Sequence, residues 1–263
     1  KETTDFIFFF TDVAELDITN KIQLQQFVRK NKISTIINCA AYTNVDGAEE
    51  HQQLAADINY VGAKNIAEIA FENSIKFVHI STDYVFDGAS SHAYKENDAT
   101  NPQNVYGVTK LEGEKAILSI NPSKTIIIRT SWLYSSFGKN FVKTMLKLTS
   151  EKEEISVVND QVGSPTYAAD LAKFVLSIVG KLTNKTVEVY HFANTGFCSW
   201  FEFVSKIVEV SGNYCRVNPV SSEAFKSIAK RPKYSMLNTE KVEKVFQMKL
   251  PTWEDSLKTC IKK

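Results

Sequence analysis

Apolar residues in the first half of the chain occur in short continuous runs that alternate with amphipathic stretches. Four runs have the length and composition of strands buried on both faces of a sheet: Phe6–Phe10, Thr35–Asn38, Phe77–Ile80 and Thr125–Ile128. Between them, apolar residues recur at helical spacing over Ile22–Lys30, Glu49–Asn73 and Thr109–Ser119. This alternation predicts an α/β fold built on a doubly wound parallel sheet with helices on both faces.

The second half of the chain is less regular, and its pattern predicts a small lobe interleaved with the end of the sheet. Prolines punctuate the connecting segments, because proline cannot continue a helix or donate within a sheet. The predicted elements are a strand at Val187–Phe192 and helices at Phe141–Leu148, Ala169–Val179, Trp200–Ser211 and Thr239–Phe246.

Composition and charge narrow the classes of partner. The 263 residues include 31 Lys and Arg against 30 Asp and Glu, so the charge balance indicates neither a nucleic acid nor an anionic membrane surface. The apolar runs fall far short of the roughly 20 residues that a membrane-spanning helix needs. The four cysteines lack the spacing of a zinc or dithiol site, which favours reduced thiols in a cytoplasmic protein. A small-molecule partner is expected.

A glycine-rich turn is missing from the place where such a sheet usually binds a pyrophosphate. Doubly wound nucleotide-binding domains open with a strand, a glycine-rich turn and a helix whose N-terminus holds the pyrophosphate. No such turn occurs in this sequence. The first apolar run leads to Asp12, which is placed like the acidic residue that hydrogen-bonds an adenosine ribose. We therefore hypothesise that this chain lacks its first β-turn-α unit.

Tyr106 and Lys110 are four residues apart at the predicted start of a helix, so their side chains point the same way. A phenol has a pKa of about 10, and a nearby ammonium favours the phenolate. Such a tyrosine can donate a proton to a carbonyl oxygen, while the lysine can bind nicotinamide ribose hydroxyls. The spacing alone fits a solvated surface pair better. The hydroxyl residues Ser81 and Thr82, at the end of a predicted strand, favour catalysis because they can bond the same substrate oxygen.

Four longer strings extend this pattern and together resemble a known family. The strings are Ser81–Gly88, Asn104–Glu114, Arg129–Tyr134 and Asn159–Thr166. They resemble the dTDP-4-dehydrorhamnose reductases, which are extended short-chain dehydrogenases/reductases, and the resemblance extends from about Asp12 to Pro251. It implies a Rossmann-like fold and the last step of dTDP-L-rhamnose biosynthesis. In that step dTDP-4-dehydro-6-deoxy-L-mannose is reduced to dTDP-L-rhamnose with NADH or NADPH.

The resemblance also implies roles for individual residues. Tyr106 corresponds to the proton donor, Lys110 to the cofactor-binding lysine, and Thr82 to the hydroxyl that assists the tyrosine. The other positions that line the dinucleotide site are Asp12, Asp17, Ile18, Ala40, Ala41 and Tyr42. The positions that contact the nucleotide sugar are Thr82, Asp83 and Trp132. We expect a dinucleotide-binding domain over residues 1–150, with further sheet elements from about 151–195, and mainly a substrate-binding lobe over about 151–263.

Several of these residues also have purely structural interpretations. Asp17, followed by Ile18-Thr19-Asn20, can be only a helix-entry residue, since Asp, Thr and Asn all serve as N-caps. Ala40 and Ala41 can be small-residue packing at a strand end. Trp132 can belong to the core. Arg231 can offer a guanidinium to the substrate diphosphate or can be a surface turn residue. The four histidines show no ligand spacing and no carboxylate cluster is visible, so no metal site is expected.

The sequence leaves two alternative functions open. One is a sugar-nucleotide epimerase or 4,6-dehydratase, which shares the fold and the tyrosine-lysine pair. The other is a non-catalytic regulatory subunit like that of methionine adenosyltransferase, although the joint presence of Tyr106, Lys110 and Thr82 argues against it. For the reductase, Asp12 favours NADH because a carboxylate repels a 2′-phosphate. We expect a cytoplasmic monomer or homodimer that binds a dTDP-sugar and neither nucleic acid nor membrane.

Overall fold

A parallel sheet of four strands forms the centre of the molecule, for which a computed structural model describes residues 6–225 and 227–262. The strands are β1 Thr35–Asn38, β2 Lys76–Thr82, β3 Thr125–Thr130, β4 Leu133–Tyr134, β5 Glu154–Val158, β6 Val162–Gly163, β7 Thr166–Tyr167, β8 Glu188–His191, β9 Cys198–Ser199 and β10 Arg216–Val220. The sheet has the order β1-β2-β3-β8, and its register aligns Ile37, Val78 and Ile126 on neighbouring strands. All six residues of β3 are buried, as expected for a central strand covered on both faces.

Helices cover both faces of this sheet. They are α1 Lys21–Lys30, α2 Val45–Glu50, α3 Gln52–Ala56, α4 Ala63–Asn73, α5 Val105–Ile120, α6 Phe141–Glu151, α7 Ala168–Val179, α8 Trp200–Ser211, α9 Glu240–Phe246 and α10 Trp253–Ile261. On one face, Ile66 of α4 and Ile117 of α5 belong to the same core as Phe77 of β2. On the other face, Phe174 of α7 belongs to a core with Val78 of β2. The predicted doubly wound, Rossmann-like α/β architecture is confirmed.

The later part of the chain also forms a small lobe with its own core. Three pairs of short strands contribute to it: β4 with β7, β6 with β9, and β5 with β10. Its core includes Val142 of α6, Phe203 of α8 and Leu257 of α10, together with Tyr134 of β4. Helices α7 and α9 and strand β8 follow residue 150 in the chain but pack on the main sheet. The chain therefore returns to the sheet between lobe elements.

The segment Phe6–Phe10 is not a strand, which corrects the prediction made from its apolar run. The side chains of Ile7 and Phe10 are 87% and 88% exposed, and Phe9 makes an edge-to-face contact with Phe27 of α1 at 6.0 Å. A parallel strand is stable only when neighbouring strands satisfy its backbone and helices cover its side chains. Within the described residues, no strand pairs with this segment, and β1 forms the edge of the sheet.

The predicted helix Glu49–Asn73 is divided into several pieces. Helices α2 and α3 meet at His51, and a π-helical turn at Asp57–Gly62 separates α3 from α4. Single π-helical turns inside α-helices are frequent at functional sites. Gly62 allows a close approach at this turn, because a Cβ there would lie 2.5 Å from the Cδ1 atom of Ile18. The π-helical turn also contains the buried side chain of Asn59.

Candidate active site

The carboxyl ends of the parallel strands bring the candidate residues to one edge of the sheet. β1 leads into Ala40–Tyr42, β2 ends at Thr82, and β3 leads to Trp132. Helix α5 begins at the same edge and carries Tyr106 and Lys110 in its first two turns. Open parallel α/β sheets bind their ligands at this edge.

Lys110 connects α5 to β2 through its charged group. The side chain is only 2% exposed, and its ammonium donates a hydrogen bond to the carbonyl oxygen of Ile80 at 2.7 Å. Burial lowers the pKa of Lys110 to about 8, and the nearby charge of Glu114 opposes that shift. An ammonium has three N–H donors, so it can bind ribose hydroxyls while it keeps this bond.

Two neighbouring residues, Asn104 and Gly107, fix the position of the first turn of α5, which carries Tyr106. The side chain of Asn104 caps the helix by accepting a hydrogen bond from the backbone N–H of Gly107 at 2.8 Å. A Cβ at position 107 would collide with the carbonyl oxygen of Tyr84, so this close approach requires glycine. The rings of Tyr84 and Tyr106 meet edge-to-face, with their centroids 5.4 Å apart.

The phenol of Tyr106 stays protonated at neutral pH. Burial raises its pKa above the usual value, and a hydrogen-bonding interaction with the Thr82 side chain opposes the rise. This corrects the expectation that Lys110 moves Tyr106 toward the phenolate, because burial dominates and the ammonium is directed at the carbonyl oxygen of Ile80. The phenol is therefore available as a proton donor, but burial makes it a weaker acid than a phenol at its ordinary pKa.

Thr82 and Asp83 form a buried polar pair at the end of β2. The hydroxyl of Thr82 donates to the carboxylate of Asp83 at 3.0 Å and accepts the backbone N–H of Tyr84 at 3.2 Å. The other carboxylate oxygen of Asp83 is buried and accepts no hydrogen bond of good geometry among the described residues, while the side chain of Ser235 lies close enough to lower the pKa of this carboxyl. Burial raises the pKa of Asp83 to about 7, with Thr82 opposing the shift. An unpaired buried acceptor of this kind can receive a donor from a ligand, such as a sugar hydroxyl.

Glu114 and Arg129 form a buried ion pair behind these residues. Arg129 of β3 donates to the Glu114 carboxylate from Nε at 3.0 and 3.1 Å and from Nη2 at 2.7 Å. The hydroxyl of Ser81 donates to the same carboxylate. The pair therefore joins α5 to β2 and β3. Sequence reasoning missed this role, and its one signal is the four-residue spacing from Lys110 to Glu114.

A shelf of small residues, Ala40 and Ala41, follows β1 beside this centre. Ala40 is exposed, and Ala41 and Tyr42 are half-buried. The side chain of Asn59 accepts the backbone N–H of Tyr42 at 2.8 Å and donates to the hydroxyl of Thr109 on α5 at 3.0 Å. The shelf is thereby fixed relative to α5. Asn59 is a second residue that sequence reasoning missed, because periodicity does not indicate its π-helical turn.

These residues fit the nicotinamide half of a dinucleotide cofactor. A flat ring can lie on the small side chains of Ala40, which is exposed, and Ala41, which is half-buried. Cys39, which directly precedes the shelf, lies close enough to Lys110 for their charges to interact. Lys110 is therefore placed to hold a ribose hydroxyl beside the shelf.

Asp12, Asp17 and Ile18 lie on the segment that leads into α1. The Asp12 carboxylate accepts a backbone N–H two residues along the chain, and that hydrogen bond lowers its pKa. Asp17 accepts hydrogen bonds from the backbone N–H and the hydroxyl of Thr19, both at 2.8 Å. Asn20, and not Asp17, is the N-cap of α1. Asp17 therefore lies in the turn that enters α1, as the helix-entry interpretation expects, although Asn20 supplies the cap. The roles of Asp12, Asp17 and Ile18 in cofactor binding stay predictions.

Trp132 and Arg231 each have a specific partner at this edge. The indole of Trp132 stacks on that of Trp200, with ring centroids 3.4 Å apart and planes 2° from parallel. Arg231 forms an ion pair with Asp46 of α2 at 2.8 Å and interacts with the hydroxyl of Tyr84. Neither side chain is fully buried. The interpretation of Trp132 as an ordinary core residue is thus incomplete, and its contact with the sugar stays a prediction.

Two further classes of feature are absent from the part of the chain that the structure describes. No group of three or more His, Cys, Asp or Glu residues is arranged to hold a metal ion. No helix there combines the length and the apolarity that crossing a membrane requires.

The fold and the site define a class of protein. A doubly wound parallel sheet carries a tyrosine and a lysine four residues apart on a helix, beside a hydroxyl at the end of a neighbouring strand. This is the arrangement of the short-chain dehydrogenases/reductases.

Comparison with known proteins defines the family. A family model described as the RmlD substrate binding domain matches residues 2–263. The dTDP-4-dehydrorhamnose reductase of Aggregatibacter actinomycetemcomitans is 40% identical over 256 residues, which cover 94% of this chain and 87% of the relative. A solved dTDP-4-dehydrorhamnose reductase from Bacillus anthracis str. Ames, in complex with NADP, is 44% identical, covers 96% of this chain and 88% of that one, and superposes with a TM-score of 0.91. The chain belongs to the dTDP-4-dehydrorhamnose reductase family.

A further relative has a different name within the same reaction class. The dTDP-4-keto-6-deoxy-D-glucose reductase of Streptomyces niveus is 37% identical over 224 residues, which cover 85% of this chain and 77% of the relative. Both names describe reduction of a 4-keto group on a dTDP-sugar.

Proposed function

We propose that this protein reduces the 4-keto group of dTDP-4-dehydro-6-deoxy-L-mannose to give dTDP-L-rhamnose, the last step of dTDP-L-rhamnose biosynthesis. The observation that carries the proposal is the joint placement of Tyr106, Lys110 and Thr82 at the carboxyl edge of the sheet, beside the exposed shelf at Ala40. The names of the family relatives support the choice of substrate.

Tyr106 donates the proton that the reaction consumes. A phenol is protonated at neutral pH and the burial of Tyr106 keeps it so, which leaves a proton available for the oxygen of the keto group. The hydroxyl of Thr82 interacts with Tyr106, and in this proposal its single proton, which Asp83 accepts in the free enzyme, turns to the same substrate oxygen when the sugar binds. When bound, NADH or NADPH supplies the hydride for C4, and the carbonyl becomes a secondary alcohol.

Two sets of residues hold the cofactor in this proposal. Lys110 binds the nicotinamide ribose, and the ring lies against Ala40, Ala41 and Tyr42. The adenosine half lies toward Asp12, Asp17 and Ile18. The charge of Asp12 predicts a preference for NADH. The solved relative from Bacillus anthracis holds NADP instead, so the preference of this protein stays a prediction.

The division of labour along the chain follows from this placement. Residues 1–150, with sheet elements from about 151–195, form the dinucleotide-binding domain, and residues from about 151–263 form mainly the lobe that binds the dTDP-sugar. Thr82, Asp83 and Trp132 contact the substrate.

We also propose a monomer or homodimer in the cytoplasm that binds no nucleic acid. The free thiols of Cys39, Cys198 and Cys215 are consistent with a reducing compartment, and light scattering of the purified protein would determine its mass.

A labelling experiment tests the reaction and its substrate together. The protein is incubated with cofactor carrying deuterium in the transferable position and with either dTDP-4-dehydro-6-deoxy-L-mannose or dTDP-4-dehydro-6-deoxy-D-glucose. The proposal predicts deuterium at C4 of dTDP-L-rhamnose and at least a ten-fold preference for the L-manno substrate. A preference for the D-gluco substrate would move the protein to the specificity named for the Streptomyces niveus relative. An epimerised or dehydrated product without deuterium at C4 would favour the epimerase or dehydratase alternative.

A further inference from the structure

Trp132 has a backbone conformation that the surrounding structure must enforce. Its φ angle is +47°, in the left-handed region that residues other than glycine rarely adopt. It lies between β3 and β4, directly after the strand end that borders the active site. Strained backbone of this kind persists only where neighbouring contacts determine it, and such positions cluster at ligand-binding sites.

Trp200 covers one face of the Trp132 indole. The two rings are parallel within 2° and their centroids are 3.4 Å apart. The ring of Phe141 packs against Trp200 from the lobe, with centroids 4.4 Å apart. Both tryptophans remain partly exposed, so the pair lies at the margin of the lobe core and not inside it.

The segment Asn159–Thr166 holds both partners of the stack in place. The carboxamide oxygen of Asn159 accepts the hydroxyl of Ser199, the N-cap residue of the helix that begins at Trp200, at 2.7 Å. At Gly163, a Cβ would lie 2.6 Å from the Cε2 and Nε1 atoms of Trp132. The backbone N–H of Thr166 donates to the carbonyl oxygen of Trp132 at 3.2 Å. One segment thus fixes the start of α8, the backbone of Trp132 and the space its indole fills.

We infer that Trp200 is a positioning residue for nucleotide-sugar binding, which acts by stacking on Trp132 and holding its indole ready for the substrate. The inference rests on the proposed function, because it assigns the Trp132 indole to the dTDP-sugar site. Because the stack already holds the Trp132 side chain in one conformation, that side chain loses less conformational entropy when the substrate binds. The segment Asn159–Thr166 holds the two stacked indoles, Trp132 and Trp200, in place.

Substitutions at position 200 separate stacking from simple packing. Trp200→Leu keeps an apolar side chain and removes the ring, whereas Trp200→Phe keeps a smaller ring. We expect Trp200→Leu to raise the KM for the keto sugar and the Kd for dTDP-L-rhamnose by about five- to ten-fold, with a much smaller fall in kcat. Trp200→Phe should stay within about three-fold of the wild type. Trp132→Ala removes the indole itself, so its KM and Kd are the reference values for complete loss of the stack.

Two further variants keep the test decisive. Trp253→Leu makes the same change inside the core of the same lobe, where the ring packs on Phe203, and it should lower stability without raising KM. Gly163→Ala keeps both tryptophans in the sequence but displaces the Trp132 indole from its stacked position, because the added Cβ would lie 2.6 Å from that ring, so it should raise KM even if Trp200→Leu does not fold.

The outcomes distinguish this inference from the proposed function. An active wild type with an unchanged KM in Trp200→Leu, or in Gly163→Ala where Trp200→Leu is unfolded, would overturn only the role of Trp200. An equal rise of KM in Trp253→Leu would also overturn it, since general loosening of the lobe would then explain the effect. A wild type that binds dTDP-L-rhamnose but does not reduce the keto sugar would contradict the proposed function, and the Kd values would still test the stack.

Discussion

The ammonium of Lys110 donates a hydrogen bond to the carbonyl oxygen of Ile80, at 2.7 Å, inside the protein. The bond ties the helix that carries Tyr106 to the strand that ends at Thr82. It also places a positive charge among Glu114, Cys39 and the buried ring of His79, with Arg129 on the neighbouring strand. Because burial outweighs the attraction of Glu114, the pKa of Lys110 falls to about 8.

Cofactor affinity is therefore expected to weaken in mildly alkaline solution. Below pH 8 Lys110 is protonated and can donate to ribose hydroxyls, whereas above pH 8 it becomes neutral and loses part of that capacity. Titration of the free enzyme with NADH or NADPH between pH 6.5 and pH 10 should give a Kd that is constant below about 8 and rises above it. Lys110→Met should bind the cofactor weakly and lack this rise. A Kd that is constant to pH 10 in the wild type would remove Lys110 from cofactor binding.

Tyr106→Phe should lower turnover by roughly two orders of magnitude or more, because a positioned proton donor is lost. The substitution removes one hydroxyl and keeps the ring that packs against Tyr84. Binding of dTDP-L-rhamnose, measured by calorimetry, should therefore remain close to that of the wild type. A turnover number within a few-fold of the wild type would exclude Tyr106 as the acid.

The Glu114–Arg129 pair should contribute far more to stability than a surface ion pair. Glu114→Gln removes the charge facing a buried guanidinium, and breaking such a pair costs about 3 kcal/mol or more in the free energy of unfolding. Glu68→Gln is the matched control, because Glu68 pairs with Lys21 near the surface, where the expected loss is below about 1 kcal/mol. Urea unfolding of the two variants measures the difference. Equal losses in the free energy of unfolding would show that the buried pair stabilises the protein no more than a surface ion pair does.

The stability of the protein should depend on the ionisation of Asp83. Its pKa is about 7 in the folded protein and close to 3.8 when unfolded, so the folded state binds the proton more tightly between these values. The Asp83 contribution to the free energy of unfolding is therefore fully present below about pH 4 and is lost as the pH rises through about 7. Asp83→Asn removes this loss, and its stability relative to the wild type should be greater at pH 8 than at pH 5. A difference that is the same at both pH values would show that Asp83 ionises normally.

Much of the fold follows from patterns that are local in the sequence. The apolar runs at Thr35–Asn38 and Thr125–Ile128 are strands of the sheet, and Trp200–Ser211 is a helix with the predicted bounds. Phe6–Phe10 shows the limit of such reasoning, because a strand depends on a partner that the run itself does not encode. Helix α10 has apolar residues at helical spacing and the N-cap Thr252, so the sequence does signal it although it is not among the predicted elements, whereas the two-residue strands of the lobe depend on tertiary contacts and are too short to show a period.

The candidate site divides in the same way. Tyr106, Lys110 and Thr82 could be identified because their spacing and their position after a strand are properties of the sequence. Glu114, Asn59 and Trp200 could not, because each acts through a residue that is distant in the chain. The direction of the Tyr106 pKa shift was also beyond the sequence, since it depends on how deeply the phenol is buried.

The most direct test of the central claim is the oxidation of NADH or NADPH by the purified protein with dTDP-4-dehydro-6-deoxy-L-mannose as the sole substrate. The change in nicotinamide absorbance is compared with the amount of product, which is identified by nuclear magnetic resonance. We predict one cofactor oxidised for each dTDP-L-rhamnose formed. Conversion of the keto sugar without net oxidation of either cofactor, or no conversion at all, would contradict the account.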